Sequence, residues 1–568
     1  MTGTTAENGS SPTMSRRQVN EAFAGILIGM LVGILSTSVV NTSLPRIVSD
    51  LHGDQSTLTW IVTGALLTTT VSTPIWGKLA DLFNRRRLLQ IALAIFIAGS
   101  LAAGFAHEPT LMIGARLIQG VGTGGLMALS QVAIADIISP RERGKYMGVL
   151  GAVVVTGTAG GPLLGGFVTD TVGWRWNFYL VIPVAVIAMI VIQLKLIVPT
   201  RRGATNIDYA GSILLIAAIS TLLIWLSLGG KQFAWESLLS WCLGVGAVVL
   251  IVVTLIVESK VKNPVLPLHM FRQRTFTLAV VASVSVGIVI YSVSIFLSQY
   301  MQLSRGATAT GAGLITLPQV ACNLIASTVV GALISRTGKW KRWLITGASL
   351  LTVGVFLLST LRVDTPFTVI FLATPLVGLG LGMLMQNLTL VVQNSASVLE
   401  IGAASSATTF FRSLGGVLAV TVFGAVLSTR VDTEIEQGLQ QAGIARSASG
   451  LTDGNLPNLP ALSDQVRNTV ESAYGQGVGE VFLYSVPFAV IALICTIFMP
   501  NAVLGTKTGI QQLSDIVLDT ASNDLDTVNV PRHSEKLGAE REMALAEYSG
   551  SGSDRVTSAA SPPNTSSS

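Results

Sequence analysis

Charge is what this sequence has least of. Only 11% of its 568 residues are Asp, Glu, Lys or Arg, against about 25% in a soluble domain. A chain this long and this poor in charge cannot cover its surface with polar groups in water. Cysteine is also scarce. Cys242, Cys322 and Cys495 all lie in apolar runs without metal-ligand spacing, so they are expected to act as small packing hydrophobes. His52, His107, His269 and His533 are scattered at or beyond the ends of these runs. They allow no Ser/His/Asp or paired-carboxylate arrangement, so neither an enzyme nor a metal site is expected. No Gly-x4-Gly-Lys-Ser/Thr run occurs, which argues against ATP hydrolysis and against any cofactor of that kind.

What is present is long apolar runs. Half the residues are hydrophobic and mean hydropathy is +0.64. The charges cluster in short blocks between the runs, the pattern of spans and loops in lipid. Fifty-seven glycines fit that solvent, because glycine lets membrane helices approach closely. The run from Ala22 to Leu44 has 23 residues, about 34 Å as a helix. The apolar core of a signal peptide has only about 7–15 residues. The run therefore reads as a span, preceded by Arg16 and Arg17. Fourteen spans are expected, at roughly 22–44, 58–76, 88–106, 111–133, 147–169, 177–198, 209–228, 237–257, 276–300, 309–334, 343–361, 367–391, 402–428 and 481–499.

Lys and Arg set the orientation. With the N-terminus in the cytoplasm, the tail and inner loops hold 20 of them and the outer loops 8. Both termini are then cytoplasmic by the positive-inside rule. The same basic loops account for the pI near 9.1 without invoking nucleic acid. The glycine-rich composition points to a bacterial plasma membrane.

The expected domains follow. Residues 1–21 form a cytoplasmic tail and 22–200 a six-helix bundle. Residues 201–262 hold two inserted transmembrane helices. A second six-helix bundle occupies 263–500, including an extracytoplasmic loop at 429–480. That loop has a Pro/Gly/Asn-rich middle, Gly450 to Pro460, flanked by helix-like stretches, and is a candidate surface for an extracytoplasmic partner. The tail 501–568 ends in Ser, Pro, Gly and Thr and is expected to be disordered. A weak repeat links the bundles. Gly77-Lys78-Leu79-Ala80-Asp81-Leu82-Phe83-Asn84-Arg85-Arg86-Arg87 and the stretch from Gly331 to Lys341 each begin at glycine, turn at Asn or Gly and finish in basic residues. Asn and Gly tolerate a left-handed turn. Two related halves around a central site is a common transporter plan.

Three motifs stand out. The first is Gly77 to Arg87. The second is Arg116-Leu117-Ile118-Gln119-Gly120 with Gly122, Gly124 and Gly125. The third is Gly148-x8-Gly157-x3-Gly161-Pro162-x2-Gly165-Gly166. Trp174-Arg175-Trp176-Asn177-Phe178-Tyr179 and Phe410-Phe411-Arg412-Ser413-Leu414-Gly415-Gly416 support them. The second is no dinucleotide loop, since no strand precedes it. Together these stretches resemble the major facilitator superfamily, and within it the fourteen-span drug:proton antiporters of multidrug efflux type. The resemblance covers about residues 22–430 and the last span.

It implies an all-α membrane fold of two six-helix bundles plus two central helices. It implies a cytoplasmic gate at Gly77, Asp81, Arg85 and Arg87, where a plain basic anchor is the alternative. It makes Gly148, Gly157, Gly161, Pro162, Gly165 and Gly166 the antiporter motif, whose proline frees a backbone carbonyl so that the span can bend. One position departs. Ser36 stands where the family pattern has an aspartate, a carboxylate thought to bind protons or cationic drugs in relatives.

No other acid lies at mid-span. Arg116 and Arg412 lie inside spans, which is costly unless they face a cavity; snorkelling to the surface is the alternative for Arg116. The candidate transport cavity is therefore Asn41, Arg116, Gln119, Gln299, Asn323, Gln386, Asn387 and Arg412. Interhelical hydrogen bonding is the alternative role for each polar residue. Such a cavity favours neutral or anionic amphiphiles over permanent cations. Proton coupling, with the proton gradient as energy source, falls to Asp136 or Asp81 near the inner mouth. The leading expectation is secondary export of amphipathic drugs or antibiotics by alternating access, within membrane lipid. Export of an endogenous lipid or metabolite is the alternative, and a membrane receptor or assembly protein reusing the fold is a third.

Overall fold

The structure is a computed structural model that describes residues 16–52, 55–196, 209–230, 232–261, 264, 268–307, 309–444, 462–506 and 511–512. It divides into a unit from Met1 to Gln512 and another from Leu513 to Ser568. The second unit lies outside the described residues.

Helix dominates, as the apolar runs require. The first half contains α1 (Arg16–Asp50), α2 (Gln55–Leu82), α3 (Arg85–Gly104), α4 (Pro109–Ile137), α5 (Pro140–Thr171), the short α6 (Trp176–Tyr179) and α7 (Val181–Lys195). Two helices follow, α8 (Tyr209–Leu228) and α9 (Leu238–Lys260). The second half contains α10 (Arg274–Gln299), α11 (Ala309–Thr337), α12 (Lys341–Leu358), α13 (Phe367–Ser395), α14 (Ile401–Gln441) and α15 (Asp464–Phe498). Among the described residues, 11 helices are long and apolar enough to cross a membrane. That is fewer than the 14 spans expected. Helices α2, α5 and α8 are the three further long segments, and the apolar stretches described in α5 and α8 are Val149–Thr158 and Ala210–Leu226.

Each half has its own core. Phe96, Leu129 and Ala185 are fully buried in the first, and Phe276, Val289 and Phe482 in the second. The halves meet where α2 packs on α14 and α5 on α11. Helix α8 touches both halves at once. Its Leu215, Ile219 and Leu223 cluster with Val71 of α2 and with Phe410 and Val417 of α14. Helix α9 packs on α8, with Trp225 donating its indole N–H to Ser240 Oγ at 3.0 Å. Most of α9 is exposed, Cys242 included.

The α2–α3, α4–α5 and α11–α12 turns carry the clustered basic residues and define the basic end of the bundle. Asn84 does not make the left-handed turn that its residue type allows. It is extended (φ −66°, ψ 117°) and caps α3, accepting the N–H groups of Arg86 and Arg87. An N-cap needs a side-chain acceptor rather than positive φ. Its counterpart Gly338 does turn left-handed, at φ 69°.

The described residues of segment 429–480 are largely helical. Helix α14 runs 41 residues to Gln441, about 60 Å at 1.5 Å per residue, twice the roughly 30 Å hydrocarbon core. Leu427, Val431, Ile435 and Leu439 recur every fourth residue and are buried with Val466, Val470 and Ala473 of α15. The Gly450–Pro460 middle lies outside the described residues. The tail assigned to 501–568 is tied down at its start: Trp340 donates its indole N–H to the Ala502 carbonyl at 2.7 Å, and Asn394 its side-chain N–H to Val503.

Candidate functional site

Asp81 ends α2 at the basic end, and its carboxylate crosses to the other half. Oδ1 accepts the backbone N–H of Gly402 at 2.8 Å and Oδ2 that of Ala403 at 2.9 Å. These are first-turn donors of α14, which have no partner within the helix. A carboxylate there is further favoured by the helix dipole. Close approach makes this geometry available. A Cβ on Gly77 would fall 2.8 Å from the Gly402 carbonyl oxygen, and one on Gly402 2.4 Å from that of Gly77. Small residues on both helices let the backbones touch, and the carboxylate fills the remaining gap.

Three further hydrogen bonds join the halves beside it. Arg143 at the start of α5 donates through Nε and Nη2 to the carbonyls of Ile138 and Ala135, and through Nη1 to Gln393 Oε1 of α13. Gln393 returns its N–H groups to the Gln131 carbonyl at 3.3 Å and to Ser405 Oγ at 2.9 Å. Gln131 donates to Gln386 at 3.5 Å. Arg143 and Gln393 were not among the expected site residues. The sequence shows Arg143 only as one of several loop cations, and nothing local marks Gln393 as its partner.

The remaining expected gate residues divide. Arg85 is buried, pairing through Nε with Asp136 Oδ2 at 2.8 Å, and both are 2% exposed. This holds α3 to α4 within the first half. Arg87 is exposed.

The α4 motif is a packing device in two directions. Gly120 and Gly124 share a face and lie against α2: a Cβ on either would come within 2.5 Å of a backbone carbonyl oxygen, that of Ala65 or Thr69. Gly122 lies against α3 in the same way, 2.6 Å from Phe96 N. Arg116 is 2% exposed and so does not snorkel. It donates to Gln119 Oε1 and, through Nε, to the Ile61 carbonyl at 3.4 Å. Gln119 donates in turn to Ser36 Oγ at 2.9 Å and Ser100 Oγ at 2.8 Å. Ser36, the position of the missing acid, therefore ends a hydrogen-bonded chain that begins at Arg116.

The α5 motif faces that same stretch of α1. A Cβ on Gly157 would meet Ile34, one on Gly161 would meet Ser38, and one on Gly165 would lie 2.6 Å from the Val39 carbonyl oxygen. Pro162 has no N–H, so the Thr158 carbonyl lacks its donor four residues on. Ser38 Oγ donates to that carbonyl at 3.0 Å. Gly166 is half-buried. Of Asn41, Gly148 and Pro162 only the helical backbone is described; their surroundings lie outside the described residues. Near the far end of α5, Asn177 binds Ser43 Oγ at 2.6 Å and Thr169 Oγ1 at 2.8 Å.

The other expected cavity residues are not brought to one point by any described contact. Asn387 is 1% exposed and donates within its own helix, to the Met383 carbonyl. Gln299 and Asn323 are half-buried. Arg412 is half-buried and donates to the Met385 carbonyl at 3.3 Å and to Thr389 Oγ1 at 3.4 Å. Among the described residues, no group of three or more His, Cys, Asp or Glu could hold a metal ion.

Comparison with known proteins matches residues 26–420 to the model of the Major Facilitator Superfamily. Multidrug transporter protein MdtP of Bacillus subtilis (strain 168) is 34% identical over 509 residues, covering 85% of this chain and 93% of MdtP. Efflux pump dotC of Dothistroma septosporum is 32% identical over 490 residues, covering 85% and 83%. Among solved structures, the proton:xylose symporter XylE matches with a TM-score of 0.57 at 15% identity, covering 88% of this chain and 99% of XylE. That likeness concerns the fold.

Proposed function

This chain belongs to the major facilitator superfamily, so it is a multi-pass membrane transporter and not an enzyme, and we propose that it exports amphipathic small molecules by proton-coupled alternating access. The names of its relatives, a multidrug transporter and an efflux pump, support the direction and the class of cargo. In this reading the fourteen long helical segments (α6 and α7 as one) all span, the basic end faces the cytoplasm, and both termini lie there.

One observation carries the mechanism: Asp81 capping α14 across the two halves. A hydrogen bond to a charged group contributes about 1.5–3 kcal/mol. Two such bonds, with Arg143–Gln393 beside them, bias the halves toward closure at the basic end by a few kcal/mol. That is a bias of the size that ligand binding or protonation overturns. The structure then stands for the state closed to the cytoplasm, in which cargo leaves and a proton enters. Asp81 and Asp136 are the proposed coupling carboxylates. Protonating Asp81 removes one of its two acceptor oxygens from α14 and loosens the latch. Protonating Asp136 breaks its pair with Arg85.

The test is flux into proteoliposomes with and without an imposed pH gradient, using one cationic and one anionic amphiphile. Absence of gradient-driven flux for both would sink the reading. Asp81→Asn and Asp136→Asn then identify the coupling group; full gradient-driven transport by a variant removes that residue.

A second reading, export of an endogenous lipid or metabolite, is favoured by the α14–α15 hairpin, whose paired apolar faces carry both helices well past the bilayer. The lipid composition of a deletion strain distinguishes it from drug export.

A further inference from the structure

Two arginines lie inside spans, and their surroundings differ. Arg116 is 2% exposed and donates to Gln119 and the Ile61 carbonyl. Arg412 is half-buried. It stands eleven residues into α14, about 16 Å from the basic end along the helix, and so near the middle of a hydrocarbon core of roughly 30 Å. At that depth a half-buried guanidinium needs a reason.

Its hydrogen bonds do not supply one. The contacts to the Met385 carbonyl and Thr389 Oγ1 are long, 3.3 and 3.4 Å, and a guanidinium has five N–H groups to place. Among the described residues, no carboxylate forms an ion pair with it. Its backbone is nonetheless held firmly. Gly287 and Gly415 let α10 and α14 touch at this level, and the Tyr291 ring covers Gly416 one turn on. A cation placed with precision by the main chain, yet short of acceptors, is built to receive one.

We propose that Arg412 receives the anionic group of the cargo, so that this transporter takes amphiphiles bearing a carboxylate or a group of like charge and shape. The inference rests on the export reading. The planar fork of arginine matches a carboxylate through two parallel hydrogen bonds, and Thr389 stands beside it as a further donor. A permanent cation gains nothing there and is repelled.

The experiment uses the full chain in proteoliposomes and three fluorescent amphiphiles of one scaffold: the carboxylate, its neutral amide and a quaternary ammonium. The wild-type protein should export the carboxylate best. Arg412→Gln should lower carboxylate export at least tenfold while sparing the amide, and Arg412→Lys should keep part of it. Thermal unfolding of each variant in detergent identifies any that fails to fold, and Arg412→Lys carries the comparison if Arg412→Gln does. Equal loss for all three probes in a folded variant, or unchanged carboxylate export, overturns the proposal. So does collapse of carboxylate export when chloride is replaced by a bulky anion, because the bound anion is then inorganic. Failure of the wild-type protein to move any of the three probes counts against export itself, not against the assignment of Arg412.

Discussion

The hydroxyl of Ser38 replaces the N–H that Pro162 lacks: it donates to the Thr158 carbonyl at 3.0 Å, across the α1–α5 contact. Pro162 of the α5 glycine motif therefore does not leave a loose carbonyl inside the helix bundle. It hands that carbonyl to a neighbouring helix.

A thermodynamic cycle tests this. Ser38→Ala should lower stability by about 1 kcal/mol, the usual net worth of one hydrogen bond. Pro162→Ala returns the helical N–H, so Ser38→Ala in that background should cost almost nothing. Thermal unfolding in detergent measures both. Equal costs in the two backgrounds would show that the hydroxyl does not serve the proline.

At the basic end, Gly402→Ala places a Cβ 2.4 Å from the Gly77 carbonyl oxygen and 2.5 Å from Asp81 Oδ1. Neither helix backbone can yield locally, and such overpacking costs about 1–3 kcal/mol. The halves should separate instead. Asp81→Ala should act in the same direction, by removing the cap. In each variant a cysteine introduced by Ser406→Cys should react with a water-soluble thiol reagent several-fold faster than in the parent. An unchanged rate would mean that the latch does not hold this end shut.

Ser36→Asp adds the absent acid within reach of Gln119 and, through it, Arg116. A carboxylate accepts the Gln119 N–H that the hydroxyl now takes, so the variant should fold. Export of a quaternary ammonium probe should rise several-fold. If it does not, the charge at this position does not set the preference.

The glycines of α4 are not alike. Gly124→Ala meets the Thr69 carbonyl oxygen at 2.5 Å, whereas a Cβ on Gly114 meets nothing within 4 Å. The first change should destabilise by about 1–3 kcal/mol. The second should be neutral or stabilise by up to about 1 kcal/mol, because alanine is the better helix former. The same unfolding assay reads both, and equal effects would contradict the packing assignment.

Much of this was legible in the chain. Apolar runs report the membrane whatever their neighbours, and the glycine spacing at 157, 161 and 165 marks one helix face from sequence alone. The structure then supplies what that face meets. The rest depended on contacts between distant residues. Arg143 and Gln393 are 250 positions apart, and each is unremarkable locally. Asn84 looks like a turn residue because its type suits either a left-handed turn or a cap, and only the start of α3 decides between them. The helical length of α14 was hidden for a related reason. Residues beyond 428 are polar on average, and the fourfold spacing of Leu427, Val431, Ile435 and Leu439 has meaning only with α15 alongside.

Helix α8 makes the molecule lopsided. It lies where α2 meets α14 and fastens to both through Leu215, Ile219 and Leu223, while the contact of α5 with α11 lies elsewhere on the bundle. The two seams between the halves therefore differ in character. One is backed by an apolar strut, against which any rocking must slide rather than part. A branched interface of leucine and isoleucine suits sliding, since dispersion contacts impose no fixed direction. In the export reading, α8 walls off that seam and leaves the opposite flank as the way in from the bilayer.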